Sequence, residues 1–252
     1  MVLSTFLLTI TVLIKAPTCT ILMLSSMFNF TPQELDAIIL SLKVASIAVL
    51  FSLPFAIAIA WLLSRKDFYG KNILNGIIHL PLVLPPVVIG YLLLILMAKK
   101  GIIGQVLWQW FGFSFSFSWR GAVLASMVMA FPLMVRSIRL TIDNIDPKLE
   151  QAARTLGASP LKVFWTITLP LSWSGIIAGA VLGFARSLGE FGATITFVSN
   201  IPNQTQTIPA ALFTFIEIPN NELAATRLCM VAIAISLFAL FTSEWLAQKQ
   251  KR

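Results

Sequence analysis

Long apolar runs separated by short charged or turn-rich stretches set the pattern of this chain. Five runs, 38–63, 73–98, 119–140, 171–198 and 223–246, are each long enough to cross a bilayer as a helix. About 20 mostly apolar residues suffice for a crossing, because every backbone N–H and C=O must find its partner inside the segment where water is absent. The pattern predicts an all-α fold: a polytopic transmembrane helical bundle with five core spans, in one domain over 36–246.

Residues 1–28 read differently. MVLSTFLLTITVLI is apolar, but Lys15 and Pro17 interrupt it, and a central charge costs roughly 2.5–3.5 kcal/mol on insertion. Three readings stay open: a sixth span, an uncleaved signal-like segment, or upstream sequence read from a false start. A cleaved secretory signal fits worst, since no positive region precedes the apolar run. As a span, the segment needs its N-terminus inside for the remaining spans to keep their orientation.

Composition agrees with the pattern. Apolar residues make up 58% of the chain, charged residues 11%, and the mean hydropathy is +0.88, whereas a soluble domain carries about a quarter charged residues. The net charge of +8 does not point to nucleic acid, because the cations lie between apolar runs and form no solvated basic face. They report topology instead. Arg65, Lys66 and Lys71, the stretch from Arg136 to Lys162, and Lys249, Lys251 and Arg252 fall on one side if the spans alternate. Lys and Arg near span ends favour the cytoplasm, so the C-terminus is expected inside. Lys99, Lys100 and Arg120 count against this, while 199–222, on the opposite side, holds no Lys or Arg. Cys19 and Cys229 fit no metal or redox spacing and read as apolar fillers.

The longest segment expected in the cytoplasm is DNIDPKLEQAARTLGASPLKVFWTITLP, residues 143–170. Asp146 can cap a helix that starts at Pro147, Gly157 can close it in a left-handed conformation, and Ser159–Pro160 repeats the start signal. Two short helices with a sharp bend follow; periodicity alone would also suit a plain amphipathic connector. The spacing goes further. The segment resembles the cytoplasmic loop of ABC importer permeases, whose signature runs Glu-Ala-Ala, three residues, Gly, nine residues, Ile-x-Leu-Pro. Ala152, Ala153, Gly157, Ile167, Leu169 and Pro170 fall on its positions, with Gln151 in place of the glutamate and Glu150 just before it.

That resemblance implies the type I ABC importer permease fold and a coupling helix, seated in a groove of a separate ATPase, to which Glu150, Gln151, Ala152, Ala153, Arg154 and Gly157 belong. HLPLVLPPVVIGYLLL (79–94), FSWRGAVLA (117–125), FPLMVRSIRL (131–140) and FARSLGEFGATITFVSNIP (184–202) narrow the likeness to molybdate permeases, relatives of the sulfate and thiosulfate permeases. Molybdate import follows as the expectation, with tungstate or sulfate as the alternative cargo. The family also implies a homodimer, two copies of the ATPase and a periplasmic anion-binding protein. No GxxxxGK[ST] loop occurs in the sequence, so ATP and its Mg belong to the partner, and this chain is expected to be neither an enzyme nor the holder of a cofactor.

Arg186 and Glu190 stand four apart inside the fourth apolar run, and charges at such depth face a bundle interior or a wet cavity. They suit either a mutually neutralising lock or, for Arg186, a positive lining for an anion route. Gly189 and Gly192 bracket Phe191 and would let the span bend or pack closely there. Pro81, Pro85 and Pro86 in the second run and Pro132 in the third predict kinks, serving either packing or a route. Lys43 is expected to snorkel and His79 to be a satisfied interfacial or core residue; the 199–222 stretch reads as an outer loop, a cap or a contact for the delivery protein. Trp61, Trp119, Trp173 and Trp245 lie near span ends, as interfacial belts require. A secondary transporter would need its own coupling carboxylates or repeats, and Glu190 is the single acid that reads as buried. An intramembrane enzyme would need a catalytic spacing such as HExxH or GxSxG, which is absent.

Overall fold

The computed structural model describes residues 29–219 and 221–249, and the described residues are helices and loops without a strand. The N-terminal extension 1–28, with Lys15, Pro17 and Cys19, and the terminal charges Lys251 and Arg252 lie outside them.

Helix α1 (Pro32–Arg65) opens on a complete capping box, in which Thr31 accepts from the Glu34 N–H and Glu34 reaches back to the Thr31 N–H. Its 34 residues are about 51 Å long, more than the roughly 30 Å hydrocarbon core. A turn follows in which Lys71, 2.7 Å from Asp67, holds that exposed carboxyl below the usual carboxylate range.

The second apolar run is not one crossing helix. It divides into α2 (Lys71–Val83) and α3 (Pro86–Met97), which meet at 114°. Pro85 and Pro86 supply no N–H to continue the ladder, and they hold Leu84 in extended backbone. Beyond α3, the short helix α4 (Ile102–Phe111) occupies part of the 99–118 connection.

Helix α5 (Trp119–Asp143), capped by Ser118, runs unbroken through Pro132. It is the central helix: 61% of its apolar window is buried, against 28% for α1. The loop helices α6 (Pro147–Thr155) and α7 (Pro160–Leu171) come next, followed by α8 (Trp173–Leu188) at 68° to α7. Gly175, Gly179 and Gly183 form a stripe where α8 lies against α5. A Cβ on Gly175 would come within 2.1 Å of the Thr141 hydroxyl, and one on Gly183 within 2.7 Å of the Met134 sulfur. Small residues every fourth position let helices in lipid gain packing and backbone contact, and the Ser137 hydroxyl donates to the Gly175 carbonyl across this seam.

The fourth run, 171–198, is also broken. Helix α8 ends at Leu188, residues 189–191 leave helical geometry, and α9 (Gly192–Val198) is a separate short piece. Two more helices, α10 (Ile208–Glu217) and α11 (Glu222–Lys249), complete the described chain.

The stretch 199–222, expected as a solvated outer loop or cap, is largely structural. Thr205, Gln206, Thr207 and Ile208 are buried, and α10 packs Ala211 and Phe215 against Leu188 and Leu228. Ser41 of α1 accepts the Ile208 N–H at 2.7 Å, which ties the start of α10 to α1. Glu190 is not the single buried acid either. Glu34 is wholly buried, held 2.8 Å from Arg227 of α11, and Glu150 is buried in the loop.

Candidate functional site

The loop between α5 and α8 is built as its turn residues require. Asp146 accepts from the Lys148 N–H and caps α6, and Ser159 accepts from the Lys162 N–H and caps α7. Gly157 joins them at φ +85°, a conformation that a Cβ disfavours. Within α7 the turn Phe164–Thr168 widens to i→i+5 bonding, a local insertion that recurs at functional positions.

Of the paired candidates Glu150 and Gln151, Glu150 turns inward. Arg65 Nε, at the last residue of α1, donates to Glu150 Oε1 at 2.9 Å, and the hydroxyl of buried Thr168 donates to the same oxygen at 2.8 Å. Arg65 Nη2 also donates to the Ile145 carbonyl. One guanidinium thus holds both the approach to α6 and its first turn, while Thr168 brings in the wide turn of α7. Gln151, Ala152 and Arg154 face outward, and Ala153 is half-buried. Beside them Leu156, Leu161 and Trp165 are 88%, 70% and 62% exposed. The outer side of the loop is therefore an apolar ridge flanked by Lys148, Arg154 and Lys162.

A second node lies at the break after α8. Glu190 Oε1 accepts the Ala193 N–H at 2.7 Å and so caps α9, while Oε2 makes a charge contact of 2.6 Å with Arg186, outside hydrogen-bond alignment. Glu190 is buried and Arg186 is partly open, with 27% of its side chain exposed. Gly192 allows close approach: a Cβ there would stand 2.8 Å from Pro86 at the start of α3. Gly189 has no such constraint. The two broken runs also meet at Gly90, where a Cβ would lie 2.5 Å from the Ala193 carbonyl.

The other candidates are placed plainly. Lys43 sits 3.9 Å above the Trp119 ring, and His79 Nδ1 lies 2.8 Å from the Asn75 carbonyl. Trp61 packs edge-on to Phe164 of the loop, and Cys229 is an exposed thiol. Arg65 and Thr168 carry no signal in the sequence as partners of Glu150, because 85 and 18 residues separate them from it. The wide turn offered none.

A broken-helix bundle carrying a capped, elbowed loop matches known proteins throughout. Residues 52–252 match the family described as the binding-protein-dependent transport system inner membrane component. The chain belongs to that family. It is 64% identical over 220 residues to a molybdenum transport system permease protein of Haemophilus influenzae, covering 87% of this chain and 96% of that one. The corresponding permease protein of Escherichia coli K12 is 63% identical over 218 residues, with 86% and 95% covered. Among solved structures, a bacterial ABC transporter involved in the import of the acidic polysaccharide alginate superimposes with a TM-score of 0.69 at 20% identity, over 88% of this chain and 82% of that one. This family member is a multi-pass membrane protein with the all-α fold of ABC importer permeases.

Proposed function

We propose that the chain is the permease subunit of an ATP-driven importer that carries molybdate across the inner membrane. The observation that carries this reading is the 64% identity, over nearly full length, to a molybdenum transport permease. The subunit works as a homodimer with two copies of a separate ATPase, which holds ATP and Mg, and a periplasmic protein delivers the anion. The C-terminus and the loop 143–170 face the cytoplasm, in keeping with the Lys and Arg groups that flank them.

In this reading the ridge of Leu156, Leu161 and Trp165 enters a groove of the ATPase, with Ala152 and Ala153 permitting close approach. Arg65, Glu150 and Thr168 fasten the loop to α1 and α7, so closure of the ATPase pair reaches the spans as rigid-body tilt. Arg186, with Glu190 behind it and Gly189 and Gly192 beside it, lines the anion route at the broken span.

The test is reconstitution of the chain with its ATPase and binding protein in proteoliposomes, followed by uptake of labelled molybdate with tungstate and sulfate as competitors. ATP-dependent accumulation is expected. Accumulation that persists without ATP or without the ATPase subunit would sink the reading, and preference for sulfate would reassign the cargo.

A further inference from the structure

A pocket of 350 Å³ opens at the end of α1 away from the coupling loop, lined by Gln33, Asp36, Lys43, Asn203 and Gln206 among others. Lys43 stands 22 positions before Arg65 on the same helix, a rise of about 33 Å, close to the hydrocarbon thickness. With Arg65 at the inner face, Lys43 lies at the outer one.

The donors here are unspent. Gln206 is 7% exposed and lines the pocket, yet its carboxamide makes no hydrogen bond among the described residues. Its amide is open to the pocket and not sealed away from it, so whatever enters can pair with it. Lys43 is held over the Trp119 ring and forms no ion pair with Asp36, although both line the pocket. A cation–π contact leaves ammonium N–H groups free to donate. Asn203 stands at the rim with φ +63°, in a left-handed turn that costs a non-glycine residue energy and persists where the surroundings impose it.

We propose that this pocket is an outer oxyanion site, distinct from Arg186, that takes the tetrahedral anion after its release by the delivery protein and before the broken spans. The proposal rests on the functional reading above. The ammonium of Lys43 and the amide N–H groups of Gln206, Gln33 and Asn203 donate to the anion's oxygens. Asp36 opposes Lys43 and brings the formal charge of the pocket near zero, so a dianion is held by donors and not by net charge. That suits a station on a route, where binding must be good enough to admit and weak enough to release.

Two measurements test it. In the reconstituted complex with saturating liganded binding protein, Lys43→Gln and Gln206→Leu should each lower molybdate uptake about tenfold. Lys43→Arg should keep most of it, and docking of the binding protein should stay within about twofold. Separately, in the purified complex with Cys19 and Cys229 replaced by serine, Asn203→Cys should be alkylated by a maleimide more slowly in molybdate than in chloride. Undiminished uptake in both variants, or alkylation indifferent to molybdate, tungstate and sulfate alike, would overturn the proposal. So would weakened docking with normal uptake once docked, which would make the pocket a seat for the delivery protein. The alkylation assay judges the pocket even where the intact complex imports no molybdate, an outcome that overturns the functional reading alone.

Discussion

Arg65 and Glu150, 85 residues apart, meet at 2.9 Å where α1 ends and α6 begins. Both side chains are largely buried, at 12% and 7% exposure. Removing one member leaves the other charged, buried and unpaired, whereas replacing both with apolar residues of similar size is often neutral. Glu150→Met alone should therefore destabilise the loop by about 3–5 kcal/mol, and Arg65→Met with Glu150→Met should recover most of the loss. Thermal unfolding of the detergent-purified complex reads the stability. Uptake per ATP should remain low in the double variant, because the loop is then folded but unfastened; full recovery of both would show the pair to be structural alone.

Gly157 is a different kind of element. Its Cβ position is open, so a substitution there strains the backbone without a clash. Gly157→Ala should cost roughly 1–2 kcal/mol locally, and Gly157→Val more, through distortion of the elbow. ATP hydrolysis that continues while uptake falls is the expected signature. Equal uptake in wild type and the valine variant would remove the elbow from the transmission path.

Gly192 and Gly189 make an internal control. Gly192→Ala places a methyl 2.8 Å from Pro86, while Gly189→Ala, at φ −89°, meets only an ordinary contact 3.7 Å from the Ala185 carbonyl. The first should lower the unfolding temperature, and the second should leave it nearly unchanged. The reverse order would mean that the start of α3 is not held against α9.

Arg186→Gln leaves Glu190 buried with the Ala193 N–H as its remaining short contact. Uptake should fall while the purified complex still assembles, as read by size-exclusion chromatography. Unchanged uptake would take Arg186 off the anion route and leave the pair as a cap for α9.

Much of this arrangement was legible in the sequence because its causes are local. Asp146, Pro147, Gly157, Ser159 and Pro160 set the loop within a few residues of themselves, and the apolar runs 38–63, 119–140 and 223–246 each fall on one long apolar helix, while the other two fall on bent pairs. The double proline at 85–86 marked a kink, but not that the run would turn by 114°, since the angle depends on α3 settling against Ala193. Glu34 carried no mark of burial in the sequence, because its partner Arg227 lies 193 residues away. The 199–222 stretch looked like a loop by its polarity, yet Thr205 spends its hydroxyl on the Ile201 N–H and the Ser199 carbonyl, so part of that polarity serves the backbone and not solvent.

Helix α1 carries the Arg65 fastening at one end and Lys43 of the polar pocket near the other, with no break between them. It is a lever: a tilt of about 5° imposed at Arg65 sweeps the far end by about 3 Å over a length of about 33 Å. Pro54, midway, removes one backbone bond and gives this lever its softest point, so stiffening there should change how much of a tilt imposed at Arg65 reaches the far end.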